Sequence, residues 1–449
     1  MADYGPESDD DGTPRWTRAQ ASGIERSPDA VAPIVYPPDE QDAPEIHVWD
    51  TWFLRNRDGS IAEIDGYRVT FSLTAPADLL PGKRHDVATI RYFYSRDGRT
   101  WHCGGPVFED TDEQSSASPR STSSREDGAA LGSRQWAGSA LYDEDGAVYV
   151  YYTAAGERGE DELTYTQRIA VGAGGRVETT DERLSIEGPF DHEVLLEPDG
   201  DRYEREDQSR GMIYTFRDPW FFEDPETGET CLLFEANTPT QEGSDAGDGD
   251  PHHQEFNGSV GIAVSESGDP TEWELDDPLL EGVSTNQELE RPHVVVRDDR
   301  YYLFLSSHEH TFAPGIEGYD ALYGFVADSL RGDYEPLNGS GLVVTNPANA
   351  PFQTYSWVAY PHREELLVSS FFNYYDLRGL SLDDVAELPP EEQQRRFGGT
   401  LAPTLRLALD GTETRVLGAL DHGHLPLPDE ELPPLLSEYR SEDPEQSEY

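Results

Sequence analysis

Short apolar runs rich in valine, isoleucine, tyrosine and phenylalanine recur along the whole chain, each bounded by glycine, aspartate, asparagine or proline. Examples are "AVYVYYTA" (147–154), "TCLLFEAN" (230–237), "SVGIAVS" (259–265), "RYYLFLSS" (300–307), "ALYGFVAD" (321–328) and "ELLVSSFF" (365–372). Turn signals such as "DEDG" and "RDDR" stand between such runs. Runs of this length and composition predict strands joined by hairpins. Helical periodicity is scarce, and the main candidate, "SLDDVAELPPEEQQRRF" (381–397), is broken by its double proline. The pattern is all-β. In 449 residues without an internal linker it favours a propeller over two sandwiches.

Three stretches depart from the pattern. Residues 110–134 are polar and low in complexity, residues 240–257 are acidic and glycine-rich, and the end of the chain is rich in proline and glutamate. All three read as loops or tails. The Asp/His run at 240–257 reads first as a solvated loop, with a metal site as the alternative. N-x-S sequons at Asn257 and Asn338 carry meaning only in a glycosylating compartment.

Charge changes the picture. Ninety Asp and Glu oppose 33 Lys and Arg, a formal net charge of −57, and Lys83 is the single lysine. Only 35% of residues are hydrophobic, yet 11% are aromatic, which suits a real core under a very polar coat. Such a surface repels itself unless salt screens it, so the chain reads as halophilic. Nucleic acid and anionic membranes are excluded as partners. Cys103 and Cys231 are too few for a disulfide scaffold; they either pair or stand as two small buried residues. The start, "MADYGPESDD", lacks the basic and apolar regions of an export leader, and no run approaches a membrane span.

Against that acidity, three acidic stretches stand out by their company. Asp50 sits between Trp49 and Trp52, where a strand interior disfavours aspartate. Asp218 follows Arg217 and precedes Pro219 and Trp220, and Glu288 and Glu290 precede Arg291 and Pro292. Indole faces stack on sugar rings, so a Trp-flanked acid suggests a glycoside site. An aspartate beside an arginine is expected to be held ionised. In E-x-E on a strand both side chains share a face, and their repulsion should raise one pKa enough to leave a proton donor near neutrality. A low-pKa carboxylate opposite a high-pKa one is the retaining-glycosidase arrangement.

The motifs "VWDTW" (48–52), "GYRVTFSLTAP" (66–76), "RQWAGSA" (134–140), "FRDPW" (216–220), "LLFEANT" (232–238), "ELERP" (288–292), "LYGFVADSLRGDYEPLNGSGLV" (322–343), "PFQTYSW" (351–357) and "GGTLAPTLRL" (398–407) follow one another in order. By them the chain resembles the fructansucrases of glycoside hydrolase family 68, the levansucrases and inulosucrases. The resemblance implies a single-domain five-bladed β-propeller with a central funnel-shaped active site. Residues 31–425 would form it, between an acidic N-terminal extension (1–30) and an acidic Pro/Glu-rich tail (426–449). The markers Asp50, Trp136, Asp218, Glu290 and Tyr355, separated by 86, 82, 72 and 65 residues, suit one contribution from each of five blades.

The same resemblance implies roles. Asp50 matches the nucleophile, Glu290 the general acid/base and Asp218 the transition-state stabiliser. Trp49, Trp136, Arg217, Glu288 and Tyr355 match sugar-contacting positions, and His308 is a candidate for the acceptor side. Two departures are visible. Ala137 stands where the family has a serine, removing a hydroxyl expected near the nucleophile. Met212 and Gln287 stand where calcium-ligating acids occur in Gram-positive relatives, so neither calcium nor any other cofactor is expected. The expected activity is transfer of fructosyl units from sucrose to fructan or fructooligosaccharide acceptors. The acidic, lysine-poor character looks most like haloarchaeal inulosucrases, hence β-2,1 product. The alternatives are a levansucrase (β-2,6), a sucrose hydrolase and a carbohydrate-binding propeller without catalysis. A monomer is expected. The resemblance implies an extracellular protein in a high-salt environment; no leader shows, so a cytoplasmic location stays as the alternative.

Overall fold

The apolar runs are strands, and most are buried along both faces because the sheets they build stack against one another. The run at 216–223 shows it, with seven of its eight residues buried in the strand Phe216–Glu223. The computed structural model describes residues 12–108, 130–240, 252–428 and 430–432. Within them the fold is all-β, as expected. Thr230–Asn237, Arg300–Ser307 and Glu365–Tyr374 form where the runs predicted strands. The helical candidate is two short helices, Leu382–Ala386 and Pro390–Arg395, parted at the double proline.

The sheets are antiparallel meanders in chain order. The first begins with the Asp50 strand (Ile46–Arg55) and runs through Arg68–Pro76 and Thr89–Ser95 to His102–Pro106. Two parallel pairs, Leu54 with Ala140 and Arg55 with Leu141, join it to a group that begins with the Trp136 strand (Arg134–Tyr142). The remaining sheets begin with the Asp218 strand (Phe216–Glu223), the Glu290 strand (Glu290–Arg297) and the Tyr355 strand (Thr354–His362). These five leading strands pack side by side in sequence, and the Tyr355 strand returns to the Asp50 strand, closing a ring.

Each leading strand is bulged at the same stage. The register slips between Trp49 and Thr51, Trp136 and Gly138, Arg217 and Trp220, Glu290 and His293, and Tyr355 and Val358. Asp50, Asp218, Arg291 and Ser356 take left-handed backbone there, with φ of 40°, 61°, 51° and 58°. The bulges and the outer edges of the leading strands leave backbone N–H groups outside the ladder, and side chains of the neighbouring sheet collect several of these. Thr153 Oγ1 accepts from Asp218 N, Ser306 Oγ from Trp357 N, Ser139 Oγ from Phe221 N and His293 Nε2 from Ala359 N.

The described part of the expected N-terminal extension is anchored. Trp16 is buried against Phe312, Tyr323 and Phe325 and donates to Ser340 O, and Arg15 pairs with Glu281. At the other end Glu430 pairs with Arg99 and His424. Arg134, assigned from sequence to a loop, starts a strand and is buried. Residues 109–129 and 241–251 lie outside the described residues, which takes in most of both predicted loops. The cysteines correct both sequence alternatives, since they are unpaired and Cys103 is exposed while Cys231 is buried. Asn257 is buried and its amide donates to Thr238 O, so that sequon offers no accessible acceptor in the folded chain.

Candidate active site

The bulges turn the leading strands' side chains into one cavity of about 380 Å³ at their N-terminal ends. Every site residue chosen from sequence lines it: Asp50, Asp218 and Glu290, with Trp49, Trp136, Arg217, Glu288, His308 and Tyr355. Asp50 is half-buried and accepts no hydrogen bond from the described residues. Asp218 is buried; its Oδ2 accepts from Arg291 N at 3.2 Å. The hydroxyl missing at Ala137 is not replaced in kind. Its carbonyl instead accepts from Thr153 Oγ1, the same hydroxyl that supports Asp218 N, so this threonine ties the two bulges together.

Arg217 organises the acids. Its Nε donates to Glu235 Oε2 at 2.7 Å, and its Nη2 donates to Glu288 Oε1 at 2.8 Å and Glu290 Oε1 at 3.0 Å. One guanidinium faces three carboxylates, two of them buried, so the group keeps a proton. Burial, then the like charge of Glu288, push the Glu290 carboxyl up to about 7, against the downward pull of His308 and Arg217. This is the raised member that E-x-E predicts, with desolvation leading and repulsion second. Asp218 is a correction. Burial raises its carboxyl above the ordinary range despite Arg217 and Arg291, whereas adjacency to arginine alone predicts a lowered one.

The other oxygen of Glu290 accepts from the Tyr355 hydroxyl. His308 stacks on the Tyr355 ring at 3.8 Å and 12°, with Nε2 3.9 Å from Glu290 Oε2. Its Nδ1 donates to buried Asp320 at 3.0 Å. Burial alone would lower the imidazole, but Asp320 outweighs it and lifts His308 to about 9, so a cation stands beside the Glu290 carboxyl.

Several participants escaped the sequence reading. Glu235 lies inside "LLFEAN", where an acid within an apolar strand was the signal. Arg291 sits next to Glu290, and its Nη groups bond Ser356 Oγ and Thr51 O, linking the strands of two acids. Asp320 had no local signal. The 3₁₀ turn Pro81–Val87 brings Arg84, His85 and Asp86 to the cavity; the His85 ring meets Trp49 edge-on at 5.4 Å, and its carbonyl accepts from Trp136 Nε1.

The proton on Glu290 gives a pH prediction. With Glu290 in the expected role of general acid, which works only while protonated, kcat/KM should fall as pH rises through about 7. Glu288→Gln removes the like charge and should move that alkaline limb to lower pH. A limb unmoved in the variant would break the coupling.

The profile of glycoside hydrolase family 68, described as Levansucrase/Invertase, matches residues 7–426. A levansucrase from Rahnella aquatilis is 35% identical, over 92% of this chain and 96% of that protein. Among solved structures, an inulosucrase from Halalkalicoccus jeotgali bound to kestose is 69% identical with a TM-score of 0.89, covering 94% of this chain and 100% of the other. The catalytic domain of a Microbacterium saccharophilum β-fructofuranosidase is 30% identical with a TM-score of 0.76, over 96% of each chain.

Proposed function

The chain belongs to glycoside hydrolase family 68, and from that premise we propose that it is a halophilic inulosucrase working through Asp50, Asp218 and Glu290. It is a fructansucrase, a fructosyltransferase acting on sucrose. The observation that carries the assignment of roles is the convergence of the three acids on one cavity, with Glu290 holding a proton near neutrality.

Asp50, with its carboxylate uncommitted, attacks the anomeric carbon of the fructosyl unit. Glu290 gives its proton to the glycosidic oxygen and glucose departs. Asp218 accepts from a fructosyl hydroxyl, a bond that strengthens as positive charge develops on the ring. In the second half Glu290 takes the proton of an acceptor hydroxyl, which displaces Asp50, and two inversions give retention. Trp49 and Trp136 shape the sugar pocket, Arg217 orients Glu290 and Glu288, and His308 with Tyr355 flanks the face where the acceptor enters.

No cofactor enters this chemistry. At the position of the Gram-positive calcium ligands, Gln287 Oε1 accepts from Met212 N and Nε2 donates to Ile213 O, an amide staple on a loop whose Ile213 lines the cavity. We also read the joined first sheet as two blades, led by the Asp50 and Trp136 strands. The five matching bulges support a five-bladed propeller. The enzyme would act as a monomer, outside the cell in high salt, on sucrose and fructooligosaccharide acceptors.

The likeness to the H. jeotgali inulosucrase favours β-2,1 linkage over β-2,6. Carbon NMR of the polymer made from sucrose in molar salt with a chelator present tests both readings. Predominantly β-2,1 signals are expected. Mainly β-2,6 signals would make it a levansucrase, loss of product with chelator would overturn the metal-free reading, and free fructose equal to glucose would make it a hydrolase.

A further inference from the structure

Arg55 ends the Asp50 strand and reaches a second cavity, about 570 Å³, at the C-terminal ends of the leading strands, opposite the active site. The side chain is buried, with 4% of the residue exposed. Its guanidinium lies 3.7 Å over the Trp220 ring, and Nη2 donates to Phe221 O at 2.7 Å. Its Nε has no partner among the described residues. A guanidinium carries five N–H donors, and this one spends a single hydrogen bond on protein.

The setting makes that unusual. Most other buried arginines among the described residues face a carboxylate: Arg68 with Glu63 at 2.6 Å, Arg134 with Glu160 at 3.0 Å, Arg217 with Glu235 at 2.7 Å and Arg406 with Glu365 at 2.6 Å. Arg291, the exception, spends its donors on Ser356 Oγ and Thr51 O. Arg55 has no carboxylate within ion-pair distance among the described residues, in a chain with 90 acids to supply one. The acids that share its cavity are engaged elsewhere. Asp58 accepts from Ser60, Glu63 from Arg68 and Glu223 from Arg57. A buried cation left without a counter-charge is costly, and here open volume adjoins it.

We propose that this cavity is an anion site in which Arg55 binds a monovalent halide, chloride in the salt the protein works in. The three carboxylates on the same walls disfavour phosphate and other polyanions, and a small ion fits beside the free N–H groups of the guanidinium. Bound there, the halide joins the Asp50 strand to the Asp218 strand, and part of the salt requirement becomes ion-specific.

Crystals soaked in molar bromide should give an anomalous peak in hydrogen-bond contact with the Arg55 guanidinium, displaced by chloride. In solution, melting temperature at equal ionic strength should be higher in KCl than in potassium gluconate by an increment that shrinks by about 1–3 °C in Arg55→Met. Ordered water alone at Arg55, bromide only at exposed arginines, or the same chloride–gluconate difference in both proteins would overturn the site. The diffraction test needs only the wild-type protein, so it stands even if the variant fails to fold.

Discussion

Asp50→Asn is expected to abolish sucrose turnover, lowering kcat by on the order of 10⁴-fold or more, while the fold and sucrose binding persist. The amide cannot form the fructosyl ester, so the remaining acids have no intermediate to resolve. The substitution is mild in every other respect. It keeps the size of the side chain, and Asp50 sits at φ 40°, a left-handed position that asparagine tolerates as well as aspartate. No hydrogen bond from a described residue is lost. Glucose release measures the effect, circular dichroism checks the fold, and equilibrium binding of sucrose separates recognition from chemistry. Near-normal glucose release would remove Asp50 from the mechanism.

Salt should have an effect of similar weight on the whole molecule. With 90 acids against 33 bases, the pairs available, such as Arg99 with Asp421 and Glu430 or Arg331 with Glu229 and Asp276, leave most carboxylates unmatched. At molar ionic strength the Debye length is about 3 Å and their repulsion is local. At low salt it reaches across the surface, against a net stability of only about 5–15 kcal/mol. Activity and melting temperature should therefore climb steeply from low to molar NaCl or KCl. For a chain of this length each kcal/mol corresponds to about 1 °C, so a change of several kcal/mol moves the melting temperature by roughly 3–8 °C. A flat response would refute the halophilic reading.

The strands were legible because β-branched and aromatic runs ended at turn residues, and a strand buried on both faces needs little more. The acids were legible because Asp50 and Asp218 break the apolar rule of the strands that carry them. The bulges were not read, although Pro219 and Pro292 signal them: a proline in a central strand cannot serve a regular ladder. Glu235 carried the same signal as Asp50 and lacked only a flanking tryptophan. Asp218 shows the deeper limit. Sequence displays its arginine neighbour, but the water removed from it depends on sheets far away in the chain. Arg55 is similar, since nothing local says that its counter-charge is missing.

The left-handed residues have a consequence for descent. Asp50, Asp218, Arg291 and Ser356 hold backbone that non-glycine side chains reach only at a cost, about 1 kcal/mol or more at each position. Stability alone would favour glycine or asparagine there, so selection for turnover and selection for persistence pull apart at the same few sites. A lineage released from sucrose chemistry should lose these side chains first, and become sturdier as it does.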